Sequence, residues 1–238
     1  MTSQPSLNKT HWLLAIQSVV VILVSINRLS SLTVGYVAAN EFLRWVDLNN
    51  MLILPLISTV AFYMLKKETE YPSPALNGRW HLALNLTFIV AVYLIAASYG
   101  DHEVTNYLHA RFCPNDEAND LCRIVIFNDD EFSHWVFFTG FVLMNTAIML
   151  MQVIFPYQGR VEKLDLVWLA LNGLFIGAGI FANLAFEVIG LDLYVVAILT
   201  AIALFLWWRN RTQPLLVYYS VAYVLGLVAT VLYKTVRA

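Results

Sequence analysis

The chain has 238 residues, of which 60% are hydrophobic and 13% charged, with a formal net charge of −2. A soluble domain carries about 25% charged residues, so this chain lacks the polar surface of a water-soluble globule, and its small negative charge excludes the basic footprint of a nucleic-acid binder. Mean hydropathy is +0.67, and the composition selects an integral membrane protein whose first partner is the lipid bilayer.

The N-terminal residues up to Lys9 lack the charged n-region and small-residue cleavage site of a removable signal peptide. The first apolar run is therefore expected to remain as a helix. A spanning helix needs roughly 20 apolar residues, and seven runs qualify: about 11–27, 48–65, 80–99, 134–155, 165–187, 191–208 and 214–233. Residues 28–46 either extend the first helix or lie at the interface, and the fifth and sixth runs are separated only by Glu187, Gly190 and Asp192. The fold class predicted is all-α: one transmembrane domain over residues 1–238, a bundle of seven helices, with one long extracytoplasmic loop at 100–133 between the third and fourth.

Alternate connections carry Lys66, Lys67 and Arg79, then Arg160 and Lys163, then Arg209 and Arg211. The positive-inside rule makes that side cytoplasmic, which places the N-terminus inside and the 100–133 loop outside a plasma or inner membrane. Arg28, Arg44, Lys234 and Arg237 run against the rule. The two cysteines, Cys113 and Cys122, both fall in the outer loop. Their short separation closes readily and disulfides persist outside the cytoplasm, so a bridge is expected, with two free thiols as the alternative. In the fifth run Gly173 and Gly177 form a GxxxG pair, with Gly179 nearby, a spacing that lets helices approach closely.

The outer loop holds eight acidic residues, two arginines, His102 and His109, and His134 follows it directly. If the third helix continues beyond the membrane, Ser98, His102, Asn106 and His109 fall on one arc at i, i+4, i+8 and i+11. Glu131 and His134 form an E-x-x-H pair at the start of the fourth helix, with Asp130 beside them. Such a pair recurs in carboxylate-bridged di-iron bundles, in two copies rather than the one present here. His102, His109, His134 and Glu131 are thus candidate ligands for zinc or non-haem iron, and Glu131, Asp130 and Glu187 candidate catalytic groups. The plainer alternatives are a solvated acidic face, a helix cap formed by residues 129–131, or a pH-sensing histidine cluster.

Other polar groups share this end. Arg44 and Asp47, at i and i+3, are expected to pair and to hold a substrate phosphate or carboxylate, with Ser98 and Asn106 lining the same site. Glu187, an acid near a helix end, needs a partner, for which Arg44 or the metal is the candidate. Asn145 and Gln152, and Asn172 and Asn183, read as interhelical hydrogen-bonding amides. His11 and His81 read as interfacial residues, and the cytoplasmic face as short-looped and bland.

Ser98, Asp101 and His102 resemble the early Ser, Asp and His of the alkaline ceramidase and adiponectin-receptor-like zinc hydrolases. That group also carries an H-x-x-x-H pair on its last helix, and no histidine follows His134, so membership is not claimed. Arg44-Trp45-Val46-Asp47 is similar to microbial rhodopsin text, but the only lysine of the last helix, Lys234, is at its far end. The leading functional expectation is a metal-dependent hydrolase of a lipid or lipid-linked substrate. The alternatives are a proton- or ion-coupled transporter using Glu187 and the polar faces of helices four and five, and a sensor or membrane-complex subunit.

Overall fold

The computed structural model describes residues 6–70, 78–114, 119–186 and 191–237. All regular elements among them are helical. Seven helices are long and apolar enough to cross a membrane: α1 (Asn8–Leu29), α2 (Trp45–Glu70), α3 (Arg79–Phe112), α4 (Asp120–Ile154), α5 (Lys163–Phe186), α6 (Leu191–Arg209) and α7 (Pro214–Arg237). A helix satisfies every backbone N–H and C=O internally, which hydrocarbon demands. Pro214 opens α7 where its missing N–H costs nothing.

Neighbours run α1, α2, α3, α4, α6, α7, α5 and back to α1, with α4 also touching α2 and α7 across the bundle. Leu14, Leu65, Ile148, Leu199 and Leu216 fill the interior. Large apolar side chains such as Leu56, Leu86, Ile89, Tyr93 and Phe205 face outward, an arrangement suited to lipid and costly in water. The small-residue positions perform the packing expected of them. A Cβ at Gly173 or Gly177 would sit 2.9 Å from the main-chain oxygen of Tyr218 or Ala222, so these glycines let α5 lie against α7.

The 100–133 segment is helical for most of its length. α3 is 34 residues long, about 51 Å at 1.5 Å per residue, against a hydrocarbon core of about 30 Å. α4 starts at Asp120, capped by the Asn119 side chain accepting from Leu121 N at 2.9 Å. The two extensions form a helical hairpin tied at its tip by the Cys113–Cys122 disulfide. This overturns the capping expectation for residues 129–131, which lie nine or more residues inside α4, in a π-helical turn at Asn128–Phe132. A second π turn, Asn49–Ile53, interrupts α2 just before Pro55. The wider turn relieves the clash between the proline ring and the preceding turn.

Residues 30–44 neither extend α1 nor form a helix. They fold as a strap pinned by an isolated bridge between Tyr36 and Arg44 and by Trp45 N donating to Gly35 O at 2.9 Å. At its tip Glu41 takes a left-handed conformation, φ 58°. Its main-chain oxygen accepts from Tyr107 Oη at 2.6 Å and from Arg111, which clamps the strap to α3.

The end opposite the hairpin is not bland, contrary to expectation. Lys66 Nζ lies 2.6 Å from Glu70 Oε1, and His81 Nε2 lies 2.9 Å from the same oxygen, with Lys66 and Glu70 both buried. His11 pairs with Asp165 at 2.8 Å and Lys9 with Glu68 at 2.7 Å. His11 and His81 therefore contact carboxylates across helices, joining α1 to α5 and α3 to α2. Of the buried amides, Asn172 accepts from Ser18 Oγ on α1 and Gln152 accepts from Leu215 N on α7, whereas Asn145 Nδ2 donates within its own helix.

Candidate functional site

The continuous α3 places Ser98, His102, Asn106 and His109 on the arc that faces α4. His102, Asn106 and His109 share one partner, Asp129, which is 1% exposed. His109 Nδ1 lies 2.9 Å from Asp129 Oδ2, and Asn106 Nδ2 donates to the same oxygen at 3.5 Å. His102 Nδ1 stands 3.1 Å from Oδ1. That oxygen is buried and receives no hydrogen bond of good geometry, so one acceptor of the carboxylate is unsatisfied. Below this level Ser133 Oγ donates to Asp129 O at 2.7 Å and Ser98 Oγ to Ser133 O at 2.8 Å, which stitches the two helices together.

Asp129 lies within the π turn, on the buried face of α4 shared with Cys122, Val125 and Ser133, while Asp130 and Glu131 remain exposed. His109, Asp129 and Asp130 each offer a ligand atom within 4.8 Å of the others. Glu131 stands outside that group. The His134 ring lies 4.9 Å from that of His102, and its Nδ1 is 3.0 Å from Asp130 O. A buried carboxylate with an unsatisfied oxygen, an imidazole and a second carboxylate within ligand spacing form a donor set that suits zinc or non-haem iron.

A second polar group occupies the other side of α3. Arg28 Nη2 contacts Glu103 Oε1 at 2.6 Å. Arg44 holds Asp47 through two bonds, Nε to Oδ2 at 2.8 Å and Nη2 to Oδ1 at 2.7 Å. The Asp47 hydrogen bond raises the Arg44 guanidinium above its ordinary value, and it stays charged. Arg44 thus has Asp47 as its partner, and Glu187 lies outside the described residues. Asn27 Nδ2 donates to Asn50 Oδ1 at 2.8 Å and to Val46 O at 3.0 Å, anchoring α1 to the π turn of α2.

Asp129, Glu103, Arg28 and Tyr107 are the central residues that pattern reading does not single out. Asp129 is one of three consecutive acids, and an ideal 3.6-residue period favours Glu131 as the partner of His134. Asp129 is set apart from the other two acids only by sharing the buried face of Cys122, Val125 and Ser133. Arg28 and Glu103 are 75 positions apart, and only the helix packing brings them together.

Comparison with protein-family models, with curated proteins and with solved structures finds no match for this chain.

Proposed function

We propose that this integral membrane protein is a metal-dependent hydrolase of a lipid or lipid-linked substrate. In this reading a divalent ion of the zinc or non-haem iron class is held by His109, Asp129 and Asp130. The observation that carries it is the buried Asp129 carboxylate, with an unsatisfied oxygen and with His109 and Asp130 donors within 4.8 Å. His109, Asp129 and Asp130 would hold the ion, the three-residue set of catalytic rather than structural zinc sites. A metal supplies Lewis acidity and lowers the pKa of bound water to about 7. Exposed Asp130 opens the site to solvent. Glu131, next in sequence and exposed, acts as general base, and the His102 ring, 3.1 Å from Asp129 Oδ1, borders the site. His134, packed on His102, holds that ring in place. Ser98 and Asn106 position the hairpin, and Arg44 and Asp47 brace α2 at the same end.

The hairpin end faces the extracytoplasmic side, a reading supported by the Cys113–Cys122 disulfide, since such bridges persist in oxidising compartments. The test is a hydrolysis panel of ester-, amide- and phosphoester-linked lipids with the protein in liposomes. Turnover of at least one class is expected, lost on chelation, restored by zinc or iron(II), and lost in His109→Ala. Turnover unchanged by chelator and by His109→Ala, or no turnover by metal-loaded protein across the panel, contradicts the reading.

A further inference from the structure

A cavity of about 280 Å³ lies between α2, α3 and the strap, on the side of α3 away from Asp129. Its walls are mainly apolar: Phe42 and Leu43 from the strap, Met51 from α2, and Val104, Leu108 and Phe112 from α3. The volume is near the low end for small-molecule sites, about 300 Å³, enough for part of a hydrocarbon chain and too small for a whole lipid. On α3 the outward residues Leu86, Ile89, Tyr93 and Val104 follow one another at helical spacing along a single face, which ends at the cavity.

Charge at this site is ordered from wall to rim. The two acids that line the cavity, Asp47 and Glu103, are each matched by an arginine, Arg44 and Arg28. Arg111, at the cavity edge, is exposed and hydrogen-bonds only neutral acceptors, the Glu41 main-chain oxygen and the Tyr107 hydroxyl. No carboxylate among the described residues lies within ion-pair distance of it. Its guanidinium and that of Arg44 lie 5.6 and 5.0 Å from the centre of the Tyr107 ring, which fixes both side chains. A guanidinium held in place with free donors matches a phosphate oxygen pair.

We infer that this cavity binds an anionic phospholipid of the surrounding leaflet, with one acyl chain between α2 and α3 and the phosphate on Arg111. The strap covers the chain through Phe42 and Leu43, so lipid binding and strap position are linked through the Glu41 contacts. The inference does not rest on the metal site and survives its failure.

The test uses full-length protein in non-ionic detergent, stripped of lipid, with thermal unfolding and native mass spectrometry as readouts. Phosphatidylglycerol is expected to raise the melting temperature and to be retained roughly tenfold better than phosphatidylcholine, the scale of one charged hydrogen bond. Arg111→Ala is expected to abolish that preference while leaving weak binding of both lipids. Val104→Trp, which fills the cavity, is expected to remove both; Met51→Phe is the milder version should the tryptophan variant not fold. Inorganic phosphate at the same concentration is expected to have no effect. Equal retention of the two lipids, an unchanged preference in Arg111→Ala, undiminished binding in a folded cavity-filled variant, or a phosphate-induced shift equal to that of the lipid each overturns the proposal.

Discussion

Glu70→Gln removes one charge from a buried cluster and leaves another stranded. The Lys66 and Glu70 side chains are 3% and 2% exposed, with Nζ 2.6 Å from Oε1. Breaking such a pair from one side costs about 3–5 kcal/mol, because the remaining charge is buried without compensation. For a chain of this size that is a fall in apparent melting temperature of roughly 6–20 °C, at about 2–4 °C per kcal/mol. Lys66→Met alone is expected to cost less, about 1–3 kcal/mol, since Glu70 keeps His81 at 2.9 Å and Lys67 at 3.4 Å. The double variant is expected to recover to within about 1 kcal/mol of the parent, as buried pairs replaced by apolar or neutral groups often do. Lys66 Nζ already lies 6.0 Å from the Phe88 ring centre, so methionine meets apolar surroundings. The assay is thermal unfolding of detergent-solubilised protein for all four members of the cycle. Additive losses in the double variant, or a Glu70→Gln effect of only a few tenths of a kcal/mol, refute the reasoning.

Gly177→Ala is expected to destabilise by about 1–3 kcal/mol through overpacking despite alanine's better helix propensity, because its Cβ meets the Ala222 main-chain oxygen at 2.9 Å. Gly100→Ala in α3, with nothing within 4 Å, is expected to stabilise by up to about 1 kcal/mol; melting curves of the two should move in opposite directions. Loss of the Cys113–Cys122 bridge, which closes a separation of nine residues, is expected to cost the hairpin about 2–3 kcal/mol. Faster proteolysis between α3 and α4 in Cys113→Ser reports that loss. After mild reduction, a membrane-impermeant thiol reagent is expected to label the cysteines of intact cells from outside; labelling only after lysis contradicts the orientation.

The seven spans were legible because length and hydropathy are one-dimensional properties, as was the glycine pair that packs α5 on α7. The disulfide was legible because both cysteines fall in one polar segment. The hairpin was half legible: the α3 arc of Ser98, His102, Asn106 and His109 follows from helical geometry alone. Its partner was not, since Asp129 sits among three consecutive acids and only its place on the buried face of Cys122, Val125 and Ser133 separates it from Asp130 and Glu131. The polar clusters at the opposite end were missed for a different reason. Lys66, Glu70 and His81 come from two helices, and in sequence they look like ordinary interfacial charges flanking a cytoplasmic turn. The strap at 30–44 has neither period, and its clamp through Tyr107 and Arg111 is a tertiary contact between residues 66 and 70 positions apart.

The central claim is that Asp129 anchors a metal ion, and elemental analysis tests it most directly. Protein purified from its native membrane without chelators, beside Asp129→Asn and His109→Ala prepared identically, is measured for zinc, iron, manganese and nickel. About one zinc or iron per chain is expected in the parent, with loss of most of it in both variants. Metal below one tenth of an equivalent in folded parent protein that stays unloaded after incubation with zinc or iron(II), or full occupancy in Asp129→Asn, contradicts the claim.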